Sequence, residues 1–266
     1  TVRLQVLVKW LAERVGADDD EAAVVQRAAV LSKSDQISQM VGDTKLAGLQ
    51  GKIGGYYALV ADESPSVAET IAEQYLPVVA DGALPSSMPG ALLAVADKLD
   101  NLTAAYYAGA EPTGTRDPMG LRRQAQGMIA ICLDRDLHFS LDDIVSLDMG
   151  LLPDLPDQDE DTMNRAAKRV RQFVAGRIEN HLQGLGISYD LVRAVLAGHW
   201  HDVVEVINRT VALARIRLAD GGFDATVDTA TRPANIVRPV QLDGSVKVRP
   251  ELFTDPVEQQ LWEAYQ

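Results

Sequence analysis

The segment His199-Trp200-His201-Asp202 holds a His-Asp pair and a His-x-His spacing, residue types that ligate a transition metal. On a helix, positions i and i+2 point about 200° apart and cannot share an ion. In an extended segment they share one face. Val203 and Val204 stand where a His-x-His-x-Asp-His metal motif needs its aspartate and last histidine. The expectation is therefore a helix N-terminus or a surface role. Gly48-x-x-Gly51-x-x-Gly54-Gly55 could cradle a phosphate, but it lacks the Gly-Lys-Ser/Thr ending and no strand pattern precedes it. Lys52 is the nearby cation, and close helix packing is the expected role of these glycines. Tyr56 and Tyr57 are expected in the core, with base stacking as the alternative.

The cations form two groups. Arg116, Arg122 and Arg123 lie at a glycine-containing loop and the start of a helix, where an anion is already favoured. They suit a phosphate or carboxylate partner. Equally, they could pair with Glu111, Asp117 or a neighbouring acid. Arg165, Lys168, Arg169 and Arg171 recur at helical spacing and give either a solvated face or a phosphate-binding one. Arg177 falls near the apolar stripe of the same helix and is expected to snorkel or pair at a helix junction. The net charge of −13 opposes nucleic acid, yet it is unevenly spread. Residues 162–217 hold 9 basic and 4 acidic side chains, a local +5, while residues 1–161 hold 12 and 26.

The elements that must position these groups read as helices throughout. Leu4, Leu7, Val8 and Leu11 mark a first helix closed by Gly16, and Asp18–Asp20 begin a second, expected to run from about Glu21 to Val41. Ser66 is a candidate cap for a helix over 67–75. Leu92, Val95, Leu99 and Leu102 form one face of a buried helix. Asp117 and Pro118 are placed to start a helix over 117–134, whose apolar side carries Cys132 as an inert thiol. Ser140 caps a short helix, and 146–161, with its prolines and acids, reads as a solvated linker. Met163, Ala167, Val170, Val174 and Ile178 stripe a long helix from Thr162. Further helices are expected near 188–197 and 201–219, then a mixed pattern, an extended turn at Leu242–Val246 and a last helix from Pro256. No βαβ alternation or repeat is present, so the fold is all-α. No apolar run approaches the roughly 20 residues that span a bilayer. The single cysteine fits a reducing cytoplasm, and Thr1 in place of Met suggests an excised or processed piece.

Ala96-Asp97-Lys98-Leu99-Asp100-Asn101-Leu102, followed by Pro112-Thr113-Gly114-x-x-Asp117-Pro118-x-x-Leu121-Arg122-Arg123, resembles the beta subunit of bacterial glycyl-tRNA synthetase. Leu31-Ser-Lys-Ser-Asp35, Met40-Val41-Gly42, Leu49-Gln50-Gly51, Gly55-Tyr56-Tyr57-Ala58 and Gln74-Tyr75-Leu76-Pro77 resemble it in the same order. Phe173-x-x-Gly176-Arg177, Ala194-Val195-Leu196 and Pro233-Ala234-Asn235-Ile236 fit more loosely. Asp43–Ala47 and the tail after 220 depart from the pattern, which bears on anticodon contacts.

The resemblance implies an HD-type helical domain over 1–145, the acidic linker 146–161, and over 162–266 a smaller helical region with the start of an anticodon-binding domain, truncated at its C-terminus. At the HD motif positions stand Ser34, Asp35 and Asp97. Serine cannot replace an imidazole ligand, and no histidine precedes His138, so no metal is expected. Asp35 and Asp97 are expected instead to pair with Lys33, Lys98 or backbone donors. The implied role is binding and positioning tRNA-Gly through Arg116, Arg122, Arg123, Arg165, Lys168, Arg169 and Arg171. Aminoacylation itself would occur at the alpha subunit, with ATP and Mg used by the full enzyme. No catalytic residue, cofactor, membrane or DNA partner is expected for this segment. The alternatives are an HD-type phosphohydrolase and a helical interaction module without RNA.

Overall fold

A computed structural model describes residues 1–42, 46–153, 160–198, 200–219, 221–237 and 248–265. Among these residues the only extended pairing is an isolated bridge between Thr113 and Arg116, so the all-α expectation holds. The chain forms two compact units, Thr1–Ala214 and Arg215–Gln266.

The first unit is built around one buried helix. In chain order it contains α1 (Val2–Val15), α2 (Asp19–Leu31), a 3₁₀ turn (Ser34–Ile37), α3 (Gln39–Gly42), α4 (Lys52–Val60), α5 (Pro65–Glu73), α6 (Met88–Tyr107), α7 (Leu121–Arg135), α8 (Leu141–Met149), α9 (Glu160–Gly184), α10 (Tyr189–Ala197) and most of α11 (Val203–Ala219). Helix α6 touches α1, α2, α5, α7, α8 and α9. Leu92, Val95, Leu99 and Leu102 are buried as their spacing requires, and so is nearly every other α6 side chain. The helix is buried on all sides, as a central bundle helix is, and its charged members Asp97, Lys98 and Asp100 are each held by a partner.

Local chemistry fixes the helix ends. Gly16 closes α1 in the left-handed conformation, at φ 71°. Asp18 and Glu21 form a reciprocal capping box at the start of α2. Ser140 caps α8. Elsewhere the structure departs from the sequence-based expectation. Helix α2 stops at Leu31, because the Ser32 hydroxyl donates to the Ala29 carbonyl and Lys33 turns left-handed, at φ 64°. The cap of α5 is Ser64 with Pro65 at the first helical position, and Ser66 already lies inside. Helix α7 begins at Leu121 because a turn closed by Gly120 N–H to the Asp117 carbonyl holds Pro118 and Met119 outside it. Asp117 still caps the helix, accepting from Leu121 N–H at 2.8 Å and Arg122 N–H at 3.0 Å.

The solvated linker expected over 146–161 is shorter: Ser146–Met149 belong to α8 with Asp148 buried, and Glu160 and Asp161 begin α9. Helix α9 packs on α6, α7, α8 and α10 through Val170, Val174, Ile178 and Leu182, all fully buried. The second unit contains the end of α11, α12 (Phe223–Val237), a 3₁₀ turn (Pro250–Leu252) and α13 (Pro256–Tyr265). The mixed pattern expected beyond Gly222 is helical in α12. His199 and Leu242–Val246 lie outside the described residues, as do Asp43–Lys45 and the side chains of Pro233–Ile236.

Candidate functional site

The break after α2 delivers Asp35 to the interior while Ser34 stays exposed. Asp35 Oδ2 accepts from Gly51 N–H at 2.6 Å, and Oδ1 has no hydrogen-bond partner among the described residues. Asp97, on α6, pairs with Lys33 Nζ at 2.6 Å and accepts from Asn101 Nδ2 at 3.3 Å. Asn101 donates in turn to Gln124 Oε1 on α7 at 2.9 Å. Lys98 is buried beside Asp97, with Nζ 2.5 Å from the Leu76 carbonyl and 3.4 Å from those of Gln74 and Ala94. Burial lowers its pKa to about 8 against the pull of Asp97. Tyr75 completes the group. Burial, then the charges of Asp97 and Asp35, raise its pKa, so the phenol stays protonated.

These side chains border a cavity of about 420 Å³, lined by Lys33, Tyr75, Asp97, Lys98, Asn101 and Arg123 among others. The motif positions Asp35 and Asp97 are thus drawn into one polar cluster with Lys33 and Lys98. Among the described residues no group of three or more His, Cys, Asp or Glu side chains could hold a metal. Two carboxylates already taken by an ammonium group and a backbone amide do not fit the ion of an HD-type phosphohydrolase.

The glycine run serves packing. A Cβ on Gly55 would lie 2.6 Å from the Ala68 carbonyl oxygen, and one on Gly51 2.8 Å from the Tyr75 ring. Gly48 meets nothing within 4 Å. The core reading of Tyr56 and Tyr57 is overturned: they are 70% and 39% exposed. The same close α4–α5 packing presses the glycine face inward and turns the tyrosines outward.

The cations divide by their partners. Arg122 Nη2 donates to the Gly114 carbonyl at 2.8 Å and staples the loop. Arg116 and Arg123 are exposed, and no partner of either side chain is found among the described residues. On α9, Arg165 donates to Thr162 Oγ1 at 2.8 Å, and Lys168 is exposed. Arg169 pairs with Glu111 at 2.8 Å, which ties α9 to the loop before α7. Burial, then the charge of Glu111, raises the Tyr106 pKa against the pull of Arg169, Arg177 and Arg122. Arg171 pairs with Asp142, donates to the Trp200 carbonyl and lies 4.5 Å over the Trp200 ring. Arg177 lies 5.6 Å over the Phe173 ring, one turn back on the same helix, so this contact is within α9.

A family model described as glycyl-tRNA synthetase beta subunit matches residues 1–197. The chain belongs to the glycyl-tRNA synthetase beta subunit family. It is 36% identical over 264 residues to the glycine–tRNA ligase beta subunit of Syntrophus aciditrophicus, covering 98% of this chain and 36% of that protein. It is 37% identical over 275 residues to the beta subunit of Desulforudis audaxviator, covering 99% and 37%. With that of Lactobacillus delbrueckii it shares 36% over 266 residues, covering 98% and 38%. The chain therefore spans little more than a third of the length of these relatives.

Within this family member, sequence reading missed an ionic seam near His201. His138 sits 2.9 Å from Asp202 and 3.2 Å from Asp136. Burial opposes its protonation, but the two carboxylates outweigh burial and raise its pKa. His201 bonds Asp142 at 2.9 Å, and Asp202 caps α11 through Glu205 N–H at 2.8 Å. The segment is a helix start, as expected, and its long-range partners carry no sequence signal. Cys132 is fully buried, and burial raises its pKa, which leaves it an inert thiol.

Proposed function

We propose that this chain is a tRNA-engaging part of a glycyl-tRNA synthetase beta subunit, and that it positions tRNA-Gly for aminoacylation at an alpha subunit. The observation that carries the reading is the alignment of nearly the whole chain with glycine–tRNA ligase beta subunits. Supporting it, Arg116, Arg123, Arg165 and Lys168 remain available to phosphate in an acidic protein. Arg122, Arg169 and Arg171 shape that surface through their own pairs. Phosphate contacts of this kind position a nucleic acid and do not read its sequence.

We infer an HD-type core over 1–145 in which Asp35 and Asp97 keep their places without a metal. The acidic segment 146–161 leads to the helical region 162–266, with the start of an anticodon-binding domain. ATP and Mg would act at the alpha subunit, and the setting is cytoplasmic. The interaction-module alternative makes the cations bystanders.

A filter-binding titration with tRNA-Gly across a salt series tests the reading. The Arg122→Gln/Arg123→Gln chain should bind about tenfold or more weakly, and its salt slope should fall by about one per lost phosphate contact. Lys168→Gln should act in the same direction, by less. Arg171→Gln should instead lower the melting temperature, since its guanidinium links α9 to α8 and to Trp200. Unchanged affinity and slope in the double variant would remove the arginines from the interface.

A further inference from the structure

Next to the cavity beside Asp97 lies a second one of about 450 Å³, and Arg123 and Pro77 line both. The two cavities differ in chemistry. The first is polar, lined by Lys33, Lys98 and Arg123 and by one carboxylate, Asp97, with Lys98 Nζ turned to the Leu76 carbonyl. Lys33 and Asn101 already engage that carboxylate, so the first cavity is net positive inside a chain of net charge −13. Asp35 lies behind it, held by the Gly51 amide. Tyr75 accepts from Gln36 Nε2 at 2.8 Å, and its own O–H donates to no described acceptor. The second cavity is walled by Pro77, Val79, Leu84, Ile129 and Ala130, with the Gln126 amide beside them and Asp81 and His181 at the edge.

The walls are pre-formed. A Cβ on Gly127 would lie 2.9 Å from Pro77 Cδ and 3.2 Å from Lys98 Cε, so only glycine lets the 77–84 loop close here. Gly51 likewise admits the Tyr75 ring. A positive polar cavity sharing an unpaired guanidinium with a neighbouring, mostly apolar cavity suits a ligand that is anionic at one end and largely apolar at the other.

We propose that the two adjoining cavities together bind a nucleotide unit, with its phosphate between Arg123 and Lys33 and its base in the slot walled by Pro77, Leu84 and Ile129. The unit is either a free mononucleotide or the terminal residue of a single-stranded RNA. The site needs no tRNA-Gly contact elsewhere on the chain, so this inference and the tRNA reading fail separately.

Equilibrium titration of the chain with AMP, GMP, CMP and UMP tests it, alongside adenosine, inorganic phosphate and an oligoadenylate tetramer. At least one monophosphate should bind saturably. Adenosine and inorganic phosphate should each bind about tenfold or more weakly than the best monophosphate, since each fills one cavity only. Arg123→Gln should weaken the monophosphate by about tenfold or more while leaving the helical circular dichroism unchanged. A tetramer that binds more tightly than the mononucleotide identifies an RNA terminus as the source, and the reverse order identifies the free nucleotide. The proposal is overturned if no monophosphate binds at about 5 mM, a concentration that detects even weak millimolar sites. It is also overturned if Arg123→Gln binds like the parent, or if inorganic phosphate matches the best monophosphate.

Discussion

Gly55→Ala should destabilise the first unit by about 2–3 kcal/mol, a loss of about 5–10 °C in melting temperature for a unit of this size. The added methyl would sit 2.6 Å from the Ala68 carbonyl oxygen and 3.2 Å from Ala72 Cβ. A backbone oxygen in the middle of a helix cannot step aside without moving α5, and α5 in turn packs on α2 and α6. The intrinsic helix preference for alanine works the other way by about 1 kcal/mol, so the observed loss is what remains after that gain. Gly176 is the control. It lies within α9, a Cβ there meets nothing within 4 Å, and it needs no special backbone angle. Gly176→Ala should therefore stabilise by about 0.5–1 kcal/mol. Thermal and urea denaturation of both variants decide the matter. A Gly55→Ala chain as stable as its parent would show that α4 and α5 are not in the close contact described.

Gly55 and Gly48 show what the sequence can and cannot disclose. Spacing alone located α1, α6, α9, α10 and the start of α13, because each has an apolar stripe or a strong punctuation residue. It also suggested that the glycines before Tyr56 serve packing, yet it could not say which of them face α5. Gly48 does not, and Gly55 does. The break at Lys33 was hidden for a different reason. Ser32, Lys33 and Ser34 do not interrupt a helical pattern, and the interruption is decided by Asp35 reaching an amide sixteen positions later. Helix α12 was missed because its side chains are largely exposed, so no buried stripe announces it. At the candidate site, Asp97 was legible as the partner of a lysine and Asp35 as the acceptor of a backbone donor. The meeting of Arg123, Tyr75 and the 77–84 loop around one cavity is a tertiary fact with no local signal.

Asp148→Asn should stabilise the protein, and the gain should grow with pH. Asp148 lies at the end of α8, completely buried, opposite Asp100 on α6 and Arg3 on α1. The one guanidinium serves two acids unequally. Arg3 bonds Asp100 at 2.5 and 3.0 Å and approaches Asp148 Oδ1 only to 3.8 Å. Neither oxygen of Asp148 meets a donor in good geometry, although the buried Thr103 hydroxyl lies alongside. Burial, and next the charge of Asp100, hold the Asp148 pKa well above the ordinary carboxylate range. Thr103 and Arg3 oppose them without prevailing. In the unfolded chain the group titrates near its reference value of 3.8. Between that value and its raised folded pKa, the folded state binds more protons, so stability falls as pH rises. Asparagine removes the titration, fits the same volume and offers an N–H to Asp100. The variant should match the parent near pH 4 and exceed it by about 2 kcal/mol at pH 7.5, where the Lys98 ammonium has begun to titrate in both chains and cancels in the difference. Urea unfolding at pH 4, 5.5 and 7.5 measures the difference. A gain independent of pH would mean that Asp148 titrates alike in the folded and unfolded chains and that the amide gains only by its bond to Asp100. A loss at every pH would mean that the carboxylate makes a bond the amide cannot.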